Sequence, residues 1–282
     1  MEWVAFGGDA RMEGALAAAR RAGHTTRHVQ GENDMEGDVR ADVVLLPWPR
    51  SFREDRLVGG RLSKEEVLRR IPACRMALIG GDVDPRELPQ AERWVNPQKD
   101  EAFLRVNALL TAEGALFAAM NRRKRAFLHS TCVVTGFGRI AQALARRLCA
   151  MDAFVIVCAR NEAQMRAAHQ IGAHPVPLAQ IASACAQADM VFNTVPARVL
   201  GDEALAAMKE RGALMLELAS APYGADIERA AQMGVEIAVE SGIPGRYAPM
   251  EAGAALCEAL LRAMSHAAER KEGEEQGGRT DG

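Results

Sequence analysis

Two glycines and an alanine have the spacing of a phosphate-binding turn: Gly136, Gly138 and Ala141 form the pattern Gly-x-Gly-x-x-Ala. The pattern follows the apolar run Thr131–Thr135 and opens a stretch with helical periodicity. The first glycine permits a sharp turn, the second lets a phosphate approach the backbone, and the alanine keeps helix and strand close. Free N–H groups and the dipole at the helix start attract an anion, an interaction worth up to about 2 kcal/mol. We therefore predict that this turn binds the pyrophosphate of a dinucleotide. The alternative is a tight turn that binds no ligand. The predicted contact residues are Thr135, Gly136, Phe137, Gly138, Arg139 and Ile140.

The residues after the next strand indicate which nucleotide binds. The apolar run Phe154–Ala159 is followed by Arg160 and Asn161, and the first carboxylate comes only at Glu162. An NAD site usually places Asp or Glu at this point to bind the ribose 2′-hydroxyl, whereas an arginine accommodates a 2′-phosphate. We predict NADP as the cofactor, bound in part by Arg160 and Asn161. NAD remains the alternative, with Arg160 then a solvated surface cation.

Two further strand ends are predicted to contact the nicotinamide side of the nucleotide. Each follows an apolar strand, and ligands of open parallel sheets bind outside the carboxyl ends of the strands. Asn193, Thr194 and Val195 are expected to line the ribose, with an ordinary turn as the alternative. Leu218 and Ala219 lie at the second strand end, where small residues would let the flat nicotinamide ring lie against the backbone.

A second glycine turn, near the amino terminus, has a different predicted role. The segment Gly7–Arg11 precedes an alanine-rich helix but lacks the dinucleotide spacing. A free helix N-terminus beside a guanidinium suits a carboxylate, so Gly8, Asp9 and Arg11 are predicted to bind a substrate anion. Glu113 is the best acid–base candidate because it lies in the connection between two predicted domains. An acidic residue in a first helical turn is, however, also favourable for the helix dipole alone.

Composition excludes several classes of protein. The chain has 282 residues, 49% of them hydrophobic, and a formal net charge of -2 at pH 7, so it can form two cores and lacks the basic character of a nucleic-acid-binding protein. Its six cysteines and six histidines show no Cys-x-x-Cys pair and no metal-ligand spacing, and no metal site is predicted. No apolar run of membrane-spanning length and no signal peptide are predicted. We therefore expect a cytoplasmic protein that binds neither nucleic acid nor membrane.

Strand-like and helix-like runs alternate along most of the chain, which predicts parallel sheets. We predict an α/β fold with two doubly wound, Rossmann-like domains. Residues 1–107 form a substrate domain, to which a C-terminal helix at 250–266 returns, and residues 108–249 form the NAD(P)-binding domain. The stretch 267–282 is rich in Glu and Gly, has almost no apolar residues and is predicted to be disordered.

The motifs in this order resemble the family of dipicolinate synthase A subunits of endospore-forming bacteria. The resemblance covers nearly the whole chain, although no single motif is specific. The two-domain layout is also similar to that of D-2-hydroxyacid dehydrogenases, whose catalytic Arg, acid and His motifs have no evident match here. The motifs that carry the resemblance are Gly7–Arg11, Asn107–Gly114, Gly136–Arg139, Ala159-Arg160, Asn193–Pro196, Leu218–Ser220 and Gly242–Pro249 with Gly253.

The resemblance implies a dehydrogenase subunit that works with the flavoprotein-like B subunit of dipicolinate synthase in the mother cell during sporulation. It would oxidise a dihydrodipicolinate-type intermediate to pyridine-2,6-dicarboxylate with NADP or NAD. Hydride would leave a ring carbon for C4 of the nicotinamide, and a proton would depart as the ring becomes aromatic. The alternatives are a dehydrogenase or imine reductase for another small carboxylated substrate, and a nucleotide-binding protein with a regulatory or scaffolding role. We also expect a homo-oligomer.

Overall fold

The fold is described from a computed structural model that defines residues 1–31, 34 and 40–277, with side chains through residue 267. The chain divides into two compact units. The first contains Met1–Asn107 and the chain from Gly245 onward, and the second contains Ala108–Pro244. Each unit has a parallel sheet whose strands alternate with helices. The predicted α/β class with two Rossmann-like folds is thereby confirmed.

The described residues of the first unit begin with seven strands and two α-helices. Five of the strands form a parallel sheet, and side chains along the first strand alternate between two hydrophobic cores, with Trp3 in one and Val4 in the other. The elements are β1 (Glu2–Phe6), α1 (Ala10–Arg21), β2 (Thr25–Val29), β3 (Val43–Leu45), β4 (Phe52–Arg53), β5 (Arg56–Leu57), α2 (Lys64–Arg70), β6 (Met76–Leu78) and β7 (Trp94–Val95). The sheet has the order β2-β1-β3-β6-β7, and β4 pairs antiparallel with β5.

A long helix contains the boundary between the two units. The sequence pattern predicts a strand at Phe103–Val106 and then a helix to about Arg122 with Thr111 as its N-cap. The structure has one helix, α3 (Glu101–Arg123), so the strand prediction is wrong. Asp100 caps this helix by accepting a hydrogen bond from the N–H of Phe103 (2.9 Å). Alanine and leucine favour the helix, and a short apolar run does not by itself distinguish a strand from a helix.

Helix α3 is an apolar helix of membrane-spanning length, which was not expected from the sequence. Among the helices of the described residues, it alone has the length and composition to cross a membrane, and 44% of its apolar window is buried inside the protein. Ala112, Ala115 and Ala119 are fully buried in the core of the second unit. Core packing therefore accounts for part of its apolar character.

The second unit is a six-stranded parallel sheet with helices between the strands. Val134 packs into the core on one face, and Val133 packs into the core on the other. The elements are β8 (Thr131–Thr135), α4 (Arg139–Ala150), β9 (Phe154–Ala159), α5 (Glu162–Gln170), β10 (His174–Pro177), α6 (Ile181–Cys185), β11 (Met190–Asn193), α7 (Asp202–Arg211), β12 (Leu214–Glu217), α8 (Ile227–Gln232) and β13 (Ile237–Val239). A short helix, α9 (Ile243–Tyr247), follows at the boundary with the first unit.

The order of the second sheet, β10-β9-β8-β11-β12-β13, determines where a ligand can bind. From β8 the chain builds outward to β10, and from β11 it builds outward to β13 on the other side. The sheet therefore has a topological switch point between β8 and β11. A crevice outside the carboxyl ends of these two strands is where doubly wound sheets bind ligands.

The last helix, α10 (Pro249–Gly277), packs on α1 in the first unit, as the predicted fold requires. Two glycines allow the close approach. A Cβ at Gly253 would lie 2.1 Å from the carbonyl oxygen of Arg11, and a Cβ at Gly14 would lie 2.7 Å from that of Met250. The helix extends past the predicted end at residue 266 into the stretch predicted to be disordered, whose Ala, Glu and Lys residues are strong helix formers. Residues 278–282 of that stretch lie outside the described residues.

Candidate active site

The glycine turn between β8 and α4 leaves the start of α4 open. Gly136 has φ 78°, in the left-handed region that glycine occupies most readily, and a Cβ there would lie 2.8 Å from Cγ2 of Val195. Gly138 is the N-cap of α4 and makes no side-chain cap, and no atom beyond its two chain neighbours lies within 4 Å of its Cβ position. The backbone N–H groups of the first helical turn are therefore accessible to an anion.

Three buried polar side chains, Thr135, Asn193 and Glu217, form a row across the carboxyl ends of β8, β11 and β12. Strand register places Thr135 opposite Asn193 and Asn193 opposite Glu217. All three side chains are fully buried. The hydroxyl of Thr135 donates to Oδ1 of Asn193 (2.5 Å), and Nδ2 of Asn193 donates to Oε1 of Glu217 (2.6 Å). We call these residues the buried polar row.

The buried polar row holds the segment after β11 against the glycine turn. The N–H of Thr194 donates to Oγ1 of Thr135 (3.2 Å), and the hydroxyl of Thr194 donates to the carbonyl of Thr135 (2.7 Å). The side chain of Asn193 bonds both backbone groups of Val195, donating to its carbonyl (3.0 Å) and accepting from its N–H (3.2 Å). Thr135, Gly136, Thr194 and Val195 therefore lie together at these strand ends.

Glu217 holds the segment after β12 in the same way. Its Oε1 accepts from the N–H of Ala219 (2.9 Å), and its Oε2 accepts from the N–H of Gly224 (2.8 Å). Burial raises the pKa of the Glu217 carboxyl, and the bonds from Gly224, Asn193 and Ala219 and the charge of Arg198 offset only part of that rise. The neighbouring Leu218 donates its N–H to the carbonyl of Asn193 (2.9 Å). Leu218 and Ala219 thus lie at the predicted strand end.

Arg160 and Asn161 follow β9, the strand beside β8. The N–H of Gly136 donates to the carbonyl of Cys158 (2.8 Å), which ties the glycine turn to the end of β9. Arg160 is exposed at this end of the strand. Asn161 caps α5 by accepting a hydrogen bond from the N–H of Gln164 (2.9 Å). Its side-chain oxygen is therefore used within the chain, whereas the guanidinium of Arg160 is open to solvent.

Glu113 is not brought to these strand ends. Its exposed carboxylate pairs with Nη2 of Arg147 (2.8 Å), in the last turn of α4. Arg147 lies at the opposite end of that helix from Gly138, roughly 13 Å away at 1.5 Å per residue. Glu113 was predicted to lie in the first turn of a helix with Thr111 as its N-cap. Because α3 begins at Glu101, Glu113 lies in mid-helix instead.

The glycine turn of the first unit has no free helix start. Asp9 is the N-cap of α1 and accepts a hydrogen bond from the N–H of Arg11 (3.0 Å), and Nη2 of Arg11 pairs with its Oδ2 (2.8 Å). Burial alone would raise the pKa of Asp9, but the bonds and the charge of Arg11 outweigh it and lower that pKa. The expectation of an uncapped helix beside a free cation is therefore wrong, because Asp is among the preferred N-cap residues.

The glycine turn of the first unit is further enclosed by the chain of its own unit. A Cβ at Gly245 would lie 2.9 Å from Nε of Arg11, and a Cβ at Gly59 would lie 1.9 Å from the carbonyl oxygen of Gly8. The N–H of Gly8 donates to the carbonyl of Val58 (2.6 Å). Within the described part of the chain, Nη1 of Arg11 makes no hydrogen bond. That nitrogen is what the Asp9–Arg11 pair leaves for another anion.

Comparison with known proteins supports a nucleotide site in the second unit. Residues 103–219 match the family described as D-isomer specific 2-hydroxyacid dehydrogenase, NAD binding domain, which supports a nicotinamide cofactor. The dipicolinate synthase A subunit of Bacillus subtilis (strain 168) is 30% identical over 159 residues, which are 56% of this chain and 53% of that protein. The match thus spans about half the length of this relative. The predicted resemblance is confirmed.

Solved structures of dipicolinate synthase A subunits show the same fold. The Bacillus subtilis structure has a TM-score of 0.79 at 24% identity and covers 96% of this chain and 97% of that one. The Bacillus halodurans structure has a TM-score of 0.78 at 23% identity and covers 93% and 97%. Similarity to the dipicolinate synthase A subunits therefore includes the architecture of both units.

Glu217 is the residue of this site that was not selected from the sequence. It immediately precedes Leu218–Ser220, a motif that carries the resemblance to the dipicolinate synthase A subunits. The available signal was its position, since a carboxylate that ends a buried apolar strand needs hydrogen-bonding partners. The identity of those partners depends on strand order, which the sequence alone does not supply.

The buried polar row should contribute measurably to stability. Thr135→Val replaces the hydroxyl by a methyl group and removes its bonds to Asn193 and Thr194, and removing a buried partner costs about 1–3 kcal/mol. We expect a fall of that size in the free energy of unfolding, measured by urea titration. Thr131→Val at the other end of β8 is the control, because the Thr131 side chain makes no hydrogen bond within the described residues. Equal losses in the two variants would contradict the assignment.

Proposed function

We propose that the chain is an NADP-dependent oxidoreductase subunit of the dipicolinate synthase type, with NAD as the alternative nucleotide. The observation that carries the proposal is the uncapped start of α4 behind Gly136 and Gly138, at the switch point of the second sheet. Unsatisfied N–H groups at a helix start bind phosphate, and open space over Gly138 lets it approach. The match of residues 103–219 to an NAD-binding domain supports the same site.

The residues around the glycine turn fit a dinucleotide. The N–H groups at Gly138, Arg139 and Ile140 would bind the pyrophosphate, beside Thr135 and Phe137. Thr194 and Val195, which the buried polar row holds against Gly136, would line the ribose, and Leu218 and Ala219 would support the nicotinamide ring. When bound, NADP⁺ supplies a hydride acceptor at C4 of that ring. What the protein contributes is orientation of the two reacting rings and exclusion of water.

We further propose that the substrate is a dihydrodipicolinate-type dicarboxylate, oxidised to dipicolinate in the mother cell of a spore-forming bacterium, with the flavoprotein-like B subunit of dipicolinate synthase as partner. The resemblance to the dipicolinate synthase A subunits supports this choice. In the first unit, Nη1 of Arg11 is the proposed donor to a substrate carboxylate, with Asp9 fixing the guanidinium. Gly8 gives the turn its shape. The expected homo-oligomer stays a prediction.

One observation favours a second candidate function, a nucleotide-binding subunit whose partner performs the oxidation. The predicted acid–base residue, Glu113, is paired with Arg147 away from the glycine turn. Purified chain mixed with NADP⁺ and freshly generated dihydrodipicolinate distinguishes the two functions. Absorbance of NADPH that rises without a partner protein supports the dehydrogenase. Tight nucleotide binding without turnover, followed by turnover once the flavoprotein is added, supports the second candidate.

Gly138→Ala tests the pyrophosphate site without disturbing the fold. In the nucleotide-free chain, no atom beyond the adjacent residues lies within 4 Å of the added methyl group, so the free energy of unfolding should not change. The methyl group would, however, lie where the phosphate approaches. We expect the Kd for NADP to rise at least about tenfold in calorimetry. Gly201→Ala is the matched control, because Gly201 caps α7 with nearly the same backbone angles (φ −80°, ψ −177° against −77° and −172°) and equal space. Equal affinities in both variants would reject the site.

Arg160→Asp tests the choice of nucleotide. A carboxylate at the end of β9 would repel a 2′-phosphate and accept the 2′-hydroxyl of NAD. The ratio of the NADP and NAD affinities should move towards NAD by about tenfold or more, a change of about 1.4 kcal/mol. Because Arg160 is exposed, its substitution should leave the unfolding transition nearly unchanged. An unaltered affinity ratio would remove Arg160 from the site.

A further inference from the structure

We propose that Glu217 is a positioning residue for the nucleotide: its ionised carboxylate holds the segments after β11 and β12 in the arrangement that receives the nicotinamide half. The inference rests on the proposed function and adds to it a buried carboxylate that does not itself touch the nucleotide. Glu217 is fully buried. It bonds the backbone of the segment after β12 directly, at Ala219 and Gly224, and it reaches the segment after β11 through the side chain of Asn193, which bonds Val195.

The hydrogen bonds of Glu217 are those of an ionised carboxylate. Both carboxyl oxygens act as acceptors, from Nδ2 of Asn193 (2.6 Å) and the N–H groups of Ala219 (2.9 Å) and Gly224 (2.8 Å). A carboxylate only accepts, whereas a protonated carboxyl must also place one O–H donor. All three partners of Glu217 are N–H donors. The O–H of a protonated Glu217 would therefore point at a group that is itself a donor and cannot accept a hydrogen bond.

Gly224 connects the two segments that Glu217 holds. Its N–H bonds to Glu217, and its carbonyl accepts from the N–H groups of Val199 (3.0 Å) and Leu200 (2.9 Å), in the segment after β11. A Cβ at Gly224 would lie 2.4 Å from Cγ of Asn193, so its backbone packs directly on that amide. Release of the Gly224 N–H would therefore loosen both segments together.

Protonation of Glu217 should weaken nucleotide binding. Burial raises the pKa of its carboxyl, which moves protonation towards the pH range in which the protein is assayed. The charged groups around it are Arg198, which lies in the segment after β11 near Asp226, and Glu240, which follows β13 and is paired with Arg122. Tyr223 lies in the segment after β12. Arg198 favours the ionised form of Glu217, and the negative charge of Glu240 is paired with Arg122.

The raised pKa affects folding and binding with opposite signs. Without nucleotide, the folded state takes up the proton more readily than the unfolded state, so this stabilising contribution is present at low pH and is lost as pH rises through the folded pKa. Nucleotide binding favours the ionised form, so affinity falls as pH is lowered through the same value. A residue with only a structural role would not produce this reversal.

Glu217→Gln is the decisive variant, because it keeps the shape and one acceptor but presents an NH₂ group to donors. The Kd for NADP, measured by calorimetry from about pH 5 to about pH 8, should be about tenfold higher than that of the wild-type chain at neutral pH. The difference in Kd between the variant and the wild type should disappear as pH falls.

Glu240→Gln is the matched control, because Glu240 is a buried carboxylate that follows the adjacent strand. This variant should have lower stability but the wild-type Kd at each pH. The 2′-phosphate titrates near pH 6, about the second pKa of a phosphate monoester, so variants are compared at equal pH.

The possible results are distinct. The positioning role is supported if the Gln variant binds NADP more weakly than the wild type and if this difference in Kd shrinks as pH falls. Equal affinity in the Gln variant and wild type at every pH overturns it and leaves the proposed function intact. No saturable binding by wild type overturns both. If the Gln variant does not fold, wild-type binding of NAD⁺, which lacks the 2′-phosphate, is measured in two buffers of different ionisation enthalpy: proton release supports the proposal, and its absence overturns it.

Discussion

Buried polar groups must find hydrogen-bond partners, and the candidate site of the second unit is built around three that do. Thr135, Asn193 and Glu217 end adjacent parallel strands in register, so each side chain can satisfy the next. Their remaining donors and acceptors then bind the backbone just beyond the strands. The same interactions that satisfy the strand ends therefore fix the segments on which a nucleotide would lie.

The two glycine turns of the chain illustrate how one local difference changes what a helix start can do. At α1, Asp9 caps the first turn and pairs with Arg11, so the chain itself supplies the anion. At α4, the N-cap is Gly138, which provides no side-chain cap, and the space beside its Cβ position is open. A helix start that its own sequence leaves unsatisfied is suited to an external phosphate.

Features that depend on residues close together in the sequence were predictable. Strand periodicity predicted the α/β class, and the Gly-x-Gly-x-x-Ala spacing predicted the turn after Thr135. In the structure β11 ends at Asn193, and β12 ends at Glu217, one residue before Leu218. The misplacement of Glu113 came from the start of α3, which short apolar runs do not define. Periodicity did not reveal that Asp9 would neutralise Arg11, although Asp at an N-cap position was an available signal.

Glu217 was beyond prediction for a different reason. Its partners come from Asn193 and Gly224, which only strand order and register bring to it. A sequence shows that a carboxylate ends a buried strand but not which strand lies beside it. The polar interactions that complete this site are therefore tertiary, while the phosphate turn beside them is local.

The most direct test of the central claim is a crystal structure of the chain grown with saturating NADP⁺. The pyrophosphate should lie within hydrogen-bonding distance of the N–H groups at Gly138, Arg139 and Ile140, with the buried polar row intact beneath the nicotinamide ribose. A nucleotide bound elsewhere on the chain, or a turn that stays empty at saturation, would contradict the account.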